Sequence, residues 1–350
     1  VYPSLSVARA LQREPDARFL YLGRADGIEK KLAERAQIPF QPIDVGAFRG
    51  MGAISAARNL TKLFGAISRT RGIIRDFQPD AIFATGGYVS APVIWAGALE
   101  HVPSVLYLPD LEPGWAIRAT ARWATRIAVS FDEVRKFFPR AKVVVTGYPV
   151  REQFTRTNRA EARRKFQLAA DAPTLTVFGG SRGAHRINEM ISNYLTALTN
   201  LAQLILITGK DDETWMKTLV ARMELDSRVR VFGYLDEDFA DALAAADVVV
   251  SRAGAATLGE FPALGLPSIL VPYPYAGKHQ KLNAEFLVKH GAAIEIENEN
   301  LEHELVPTLK NLFALPDELN RMSHAARALA VPNAAENLAA LLKEMAGQGN

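Results

Sequence analysis

The 350-residue sequence contains no cysteine, which excludes a disulfide scaffold, a thiolate metal cluster and a cysteine nucleophile, and fits a reducing compartment. Histidine is sparse as well: His101, His185, His279, His290, His303 and His324 show no H-E-x-x-H or comparable ligand spacing. Asp236-Glu237-Asp238 is the only D-x-D, and its place just before the helical stretch 239–246 suits an N-cap better than a metal. No G-x-S-x-G elbow and no Walker loop occurs, which sets aside those two catalytic classes. The chain opens Val1-Tyr2-Pro3 without an initiator Met or a basic leader, so no signal peptide is read from it. The longest uncharged segment, residues 81–99, is long enough at nineteen residues to span a membrane. Thr85, Gly86, Gly87, Ser90 and Pro92 interrupt it, however, and predict a buried strand, a glycine turn and a helix.

With 49% apolar and 23% charged residues, the composition is that of a soluble globular chain, and at roughly 150 residues per domain the length suits two domains. A net charge of +3 hides an asymmetry, because residues 1–150 carry +7 and the remainder −4. Within the basic half, residues 45–75 hold Arg49, Arg58, Lys62, Arg69, Arg71 and Arg75 with no acid, which favours an anionic partner. The same stretch has helical spacing: Leu60, Leu63, Phe64 and Ile67 fall on one face and Arg58, Lys62 and Arg69 opposite. Such a helix either lies on an anionic membrane surface or packs its apolar face on its own domain. The absence of interleaved aromatics argues against nucleic acid.

Apolar β-rich runs at 19–22, 81–84, 104–108, 126–130, 143–146, 174–178, 204–208, 229–232, 248–251 and 268–271 alternate with helical patterns. That rhythm predicts α/β architecture with parallel sheets, in two doubly wound domains facing a cleft. The turn at Gly147-Tyr148-Pro149 is the expected boundary. An internal likeness supports two similar halves: Asp80-Ala-Ile-Phe-Ala-Thr-Gly-Gly, a helix and Pro103-Ser104 parallel Asp247-Val-Val-Val-Ser-Arg-Ala-Gly, a helix and Pro267-Ser268. Any βαβ unit shares part of this pattern.

Three loops could carry chemistry. Gly179-Gly180-Ser181-Arg182-Gly183-Ala184 follows a strand and suits either close approach of N–H groups to phosphate, with the Ser181 hydroxyl, or a plain tight turn. Arg252-Ala253-Gly254-Ala255-Ala256-Thr257-Leu258-Gly259-Glu260 follows an apolar strand and opens a helix whose free N–H groups fit a pyrophosphate. Glu260 either accepts both hydroxyls of a ribose or is a surface acid complementing the helix dipole. In the third loop His279, Gln280 and Asn283 could reach sugar hydroxyls.

Taken together, these motifs resemble the MurG family, the UDP-N-acetylglucosamine:lipid I N-acetylglucosaminyltransferases of peptidoglycan synthesis. The resemblance rests on Tyr2-Pro3 before an Ala/Leu helix, Gly86-Gly87-Tyr88-Val89-Ser90-Ala91-Pro92, Gly147-Tyr148-Pro149-Val150-Arg151, the loops at 179–184 and 252–260, and His279-Gln280 with Asn283-Ala284. It implies a GT-B fold of two Rossmann-like domains: residues 1–149 for the lipid-linked acceptor, with a C-terminal helix 333–350 packing back on them, and 150–332 for the nucleotide sugar. It also implies inverting transfer without a required metal or other cofactor, at the cytoplasmic side of the bacterial membrane as a peripheral protein.

By the same resemblance Arg151, Ser181, Ala255, Ala256 and Thr257 face the UDP phosphates, with Leu258 and Gly259 in the same turn. Tyr234 and Leu235 hold uracil, Glu260 the ribose, and Gln280 with His279 and Asn283 the sugar. Gly86, Gly87, Tyr88, Ser90 and Asp110 line the acceptor side, and Arg58, Leu60, Lys62, Leu63, Phe64, Ile67 and Arg69 form the membrane-docking segment. Two departures stand out. The family's first glycine loop, with the His that is its candidate base, would precede Tyr2-Pro3, and the family's H-E-Q-N reads Tyr107-Leu108-Pro109-Asp110. That leaves Asp110 and Glu112 as candidate bases and Tyr148 as a change from Asn. Alternatives are a GT-B transferase using another UDP-sugar or glycolipid acceptor, a nucleotide-sugar epimerase, and a non-catalytic membrane-associated binding protein.

Overall fold

The computed structural model describes residues 1–45, 53–180, 184–274 and 279–347, with 53–61 described by their backbone alone. Ser181 and the side chains of Arg58 and Leu60 lie outside the described residues. The chain divides into two compact units, Val1–Val150 with Val331–Asn350, and Arg151–Ala330. All strand pairings are parallel, so each sheet must be covered on both faces.

In the first unit β1 (Tyr21–Gly23) pairs with β2 (Phe40–Pro42), while β3 (Ile82–Ala84), β4 (Ser104–Leu108), β5 (Arg126–Val129) and β6 (Val143–Val145) form a four-stranded sheet in that order. A groove of about 910 Å³ has β1 and β3 among its walls. Helices α1 (Tyr2–Leu11), α2 (Ile28–Arg35), α3 (Ala53–Phe77), α4 (Ser90–Leu99) and α5 (Trp115–Thr120) connect the strands. The uncharged run 81–99 becomes β3, a turn with Gly86 and Gly87 both at φ +83°, and α4. None of the described helices is long and apolar enough to cross a membrane. The last helix, α16 (Ala334–Gly347), sets Leu338, Leu341, Leu342 and Met345 against Val7, Val105, Tyr107 and Ala128. At its approach Val331 lies where a Cβ on Gly147 (φ +86°) would come within 2.5 Å.

The second unit is a six-stranded sheet, β12-β11-β10-β7-β8-β9, from β7 (Thr174–Phe178), β8 (Gln203–Ile207), β9 (Val229–Phe232), β10 (Val248–Ser251), β11 (Ser268–Leu270) and β12 (Ala293–Glu295). Every residue of β8 and β10 is buried, as double coverage requires. Its helices are α6 (Gln153–Arg156), α7 (Arg159–Lys165), α8 (His185–Asn193), α9 (Leu195–Leu201), α10 (Lys210–Arg222), α11 (Phe239–Ala244), α12 (Thr257–Leu264), α13 (His279–Lys289), α14 (Leu301–Ala314) and α15 (Pro316–Ala328).

The structure refines the sequence reading in two places and corrects it in a third. Phe64 does not share the packed face of α3: Leu63, Ala66, Thr70, Ile73 and Ile74 are buried and Ile67 half-buried, but Phe64, about 100° round the helix from Leu63, is 63% exposed. The basic charge of that helix is partly spent, since Lys62 lies 3.6 Å from Asp44 and Arg71 and Arg75 both bind Glu100, at 2.6 and 2.8 Å. Those two guanidiniums pull the Glu100 carboxyl down to about 2. Finally, Asp238 gives α11 no side-chain cap, and its carboxylate accepts from Lys165 Nζ at 2.6 Å instead.

Candidate functional site

In the second unit the buried strand β10 delivers the chain into 252–256 and then α12. Arg252 fixes the start of this loop: buried itself, it donates Nη1 to the carbonyls of Val271 and Pro272 at 3.1 and 3.4 Å and lies 5.3 Å from the Tyr273 ring centre. Burial lowers its guanidinium pKa. Asn283, fully buried, donates Nδ2 to Ala253 O at 3.1 Å and holds the loop from α13. Thr257 turns both its N–H (3.0 Å) and its hydroxyl (2.7 Å) onto Gly254 O, and Thr257, Leu258 and Gly259 are all buried. The half-buried Gly254, Ala255 and Ala256 lie ahead of them, and their N–H groups make no hydrogen bond among the described residues. The open donors at this helix start are therefore 254–256. Such a cluster of N–H groups at the positive end of a helix favours an anion by about 0.3–1 kcal/mol or more when partly buried.

Glu260, one turn into α12, is buried at 4% exposure, so it is no dipole-complementing surface acid. Arg151 donates both Nη2 (2.9 Å) and Nε (3.1 Å) to the same oxygen, Oε1. The guanidinium also lies against an edge-to-face pair of aromatic rings, 4.9 Å from the centre of Phe154 and 5.2 Å from that of Phe239. Oε2 carries no hydrogen bond among the described residues. Burial raises the Glu260 pKa, and the charge and hydrogen bonds of Arg151 act against that rise. The arrangement leaves one oxygen of a stiffly held carboxylate to accept hydroxyl protons.

Other predicted positions in this unit are differently disposed. Tyr234 is exposed and Leu235 half-buried, ahead of α11. Gln280 accepts the Tyr273 N–H at 2.8 Å through Oε1, which leaves its amide nitrogen as a donor without a partner among the described residues. His279 opens α13 with its Nδ1 buried and without a hydrogen-bond partner. In the 179–184 loop the described half contains Gly180 at φ +95° with open space where a Cβ would stand. Sequence reasoning missed the pair beside it. His185, the first residue of α8, lies 2.9 Å from Asp212, which also accepts Asn188 Nδ2 at 2.7 Å and so ties the starts of α8 and α10 together. The only signal for it was the histidine directly after the loop.

In the first unit, Gly86 needs its positive φ and also its lack of a side chain, since a Cβ would stand 2.9 Å from Ile117 Cδ1. Ser90 Oγ, buried, donates back to Gly86 O and closes the turn; Gly87 has open space on its outer side, and Tyr88 packs half-buried against the core. At the carboxyl end of β4, Tyr107 is a core residue: wholly buried, stacked on Phe83 at 6.1 Å, with its hydroxyl 2.8 Å from Ser130 Oγ and 3.3 Å from Gly147 O. Burial pushes its phenol far up, so it stays protonated. Asp110 follows, half-buried, while Glu112 is paired with Arg118 Nη2 at 3.1 Å. Tyr148 is buried.

Comparison with known proteins agrees across the chain. Residues 1–129 match the Glycosyltransferase family 28 N-terminal domain and residues 174–338 the Glycosyltransferase family 28 C-terminal domain. The UDP-N-acetylglucosamine--N-acetylmuramyl-(pentapeptide) pyrophosphoryl-undecaprenol N-acetylglucosamine transferase of Bacillus subtilis is 33% identical over 99% of this chain and 96% of its own length. The protein of that name from Halalkalibacterium halodurans is 34% identical with the same coverage. Among solved structures, Acinetobacter baumannii MurG superposes with a TM-score of 0.76 at 26% identity, covering 98% of this chain and 95% of that one. The Neisseria meningitidis UDP-GlcNAc 2-epimerase reaches 0.70 over 98% and 96%, but at 13% identity it shares the fold alone.

Proposed function

The chain belongs to the MurG family, a GT-B glycosyltransferase that moves N-acetylglucosamine from UDP-N-acetylglucosamine to the lipid-linked muramyl-pentapeptide acceptor, and on that premise we propose how its residues divide the work. The carrying observation is the half-used Glu260 carboxylate: Arg151 occupies Oε1, and Oε2 accepts the ribose hydroxyls of UDP. Arg151 then positions Glu260 in addition to bringing positive charge toward the diphosphate. The N–H groups of Gly254, Ala255 and Ala256, together with the Ser181 loop, receive the phosphates. Tyr234 and Leu235 flank uracil, and the Gln280 amide with His279 meets the sugar hydroxyls.

Transfer is an inverting displacement. A base takes the proton of the acceptor hydroxyl, whose oxygen bonds to the anomeric carbon as the bond to the UDP oxygen breaks, and the developing charge on UDP is met by the α12 start. No metal is required in this scheme. Asp110 and Glu112 are the candidate bases within the described residues, and Glu112 would have to leave Arg118 to act. The first unit takes the acceptor beside Gly86, Gly87 and Ser90. The outward Phe64 rests on an anionic membrane surface at the cytoplasmic side, with the positive charge of the segment carried elsewhere round the exposed circumference of α3 and with Leu63 and Ile67 anchoring the helix from within.

Calorimetric titration with UDP-N-acetylglucosamine, UDP-glucose and UDP-galactose, with and without magnesium, tests the donor reading. Metal-independent binding that prefers the first, and that falls at least tenfold in Glu260→Ala, is expected. An unchanged affinity in that variant removes Glu260 from the ribose, and a preference for another sugar overturns the donor.

A further inference from the structure

The second unit also holds a polar cavity of about 250 Å³ at the amino ends of β10 and β11. The donor loop leaves the carboxyl end of β10, so the cavity opens at the opposite edge of the sheet. The four residues of β10 alone separate the two by about 13 Å at ~3.3 Å per residue.

One wall is a stripe of α15: Leu319, Asn320, Ser323 and Arg327 recur at helical spacing and all face the cavity. The other carries Arg159 and Asp247. That aspartate is fully committed, because its Oδ2 accepts the Arg163 Nη2 and the Thr174 N–H, both at 2.8 Å, and its Oδ1 accepts Arg159. A single carboxylate thus answers two guanidiniums.

Arg327 adds a third positive charge, and its guanidinium has no ion-pair or hydrogen-bond partner among the described residues. Its place is specified by the sequence. Gly265, at φ +60° where α12 ends, is the residue over which it lies, and a Cβ there would stand 2.4 Å from Arg327 Nε. Ser323 Oγ donates to Gly265 O at 2.7 Å and fixes α15 to the same turn.

We propose that this cavity binds a small phosphate-bearing anion, gripped by the Arg327 and Arg159 guanidiniums with the Asn320 amide as a further donor. At about 250 Å³ it is smaller than the roughly 300–1,000 Å³ of a typical small-molecule pocket, which suits a small anion better than a whole nucleotide sugar. The site is therefore separate from the donor site in both place and ligand.

The test is calorimetric titration of the whole chain with inorganic phosphate in 150 mM chloride (a ~0.15 M ionic strength that screens loose ion pairs), with UDP present throughout to fill the donor side. Saturable binding is expected, weakened at least fivefold in Arg327→Lys, which keeps a charge at the end of α12 but loses the planar fork. Asn320→Ala, on an exposed helical face, supplies a second variant should Arg327 prove necessary for folding, and is expected to weaken binding about threefold. Melting curves in phosphate-free buffer identify any variant that has lost its fold. Absence of saturable binding, or equal affinity in wild type and both folded variants, overturns the proposal and marks any bound phosphate as an adventitious ion only. If UDP itself fails to bind, the donor assignment falls while the Arg327 dependence still decides this one.

Discussion

The two strand, glycine turn and helix units, β3 to α4 and β10 to α12, share a sequence pattern down to the leading aspartate and the closing Pro-Ser, yet their helices are built differently. In α4 seven of ten residues are buried and none is charged. It packs between α3 and α5, and its Gly86 turn is closed internally by Ser90. In α12 six of eight residues are buried and one is Glu260, held by an arginine 109 positions away in sequence. Burying an ion pair costs several kcal/mol per charge in desolvation and is often no better than an apolar substitute. A fold that solves the same packing problem with apolar residues in one unit and a buried pair in the other has kept the pair for something beyond packing. On the function proposed above, the unused Oε2 of Glu260 is that something, a hydroxyl acceptor held in place by its partner.

The comparison breaks most sharply at Glu260. Glu260→Ala takes the buried carboxylate away from the Arg151 guanidinium and is expected to cost about 3 kcal/mol in urea unfolding, along with donor binding. Glu260→Gln preserves volume and is expected to recover most of the stability but little of the affinity. Next come the leading aspartates. Asp247→Asn leaves the buried Arg163 without its charge partner and is expected to cost about 2 kcal/mol, whereas Asp80→Asn, on an exposed residue, should stay within about 0.5 kcal/mol. Equal losses would mean that the two aspartates play one common structural part.

The glycines separate scaffold from site in the same way. Gly86→Ala forces an alanine to φ +83° and against Ile117, at about 1–2 kcal/mol. Gly254 has no positive φ and no atom within 4 Å of a Cβ, so Gly254→Ala should melt as wild type and yet weaken UDP binding severalfold by crowding the approach to the N–H groups. A parallel fall in stability for both would make the second loop scaffold as well.

Strand positions were legible because parallel strands covered on both faces are nearly all apolar, as Ser104–Leu108 and Val248–Ser251 are but for one serine at an end of each. The two strands the sequence hid, Phe40–Pro42 and Ala293–Glu295, are three residues long, lie at sheet ends and carry Pro42 or Glu295. Edge positions tolerate both. In the site, residue types and loop order were legible, since a helix start rich in small residues has an anion-binding consequence wherever it occurs. The Arg151 to Glu260 pair, the inward turn of Thr257 and the internal bond of Gln280 were not, because each depends on a contact that no local spacing encodes. The limit of the buried stripe on α3 was hidden for a related reason: helical periodicity places Phe64 beside Leu63, and only tertiary packing decides where that stripe ends.

The finest distinction is between two glutamates with opposite linkage to pH. In Glu260 burial raises the carboxyl pKa, so the unfolded chain releases the proton first and this group's contribution to stability is lost as pH rises above the ordinary glutamate range. For Glu100, Arg75 and Arg71 hold the pKa down to about 2, so its contribution is present above the ordinary range and is lost as pH falls toward 2. Urea midpoints measured from pH 3 to pH 7 should therefore diverge between variants. Glu260→Gln removes a term that falls with pH and steepens the rise in stability with pH, while Glu100→Gln flattens the acid limb. Should Glu260→Gln leave the profile parallel to wild type, Arg151 already neutralises the cost of burial. The pair would then be poised for ligand without a stability penalty, and α12 would resemble α4 energetically after all.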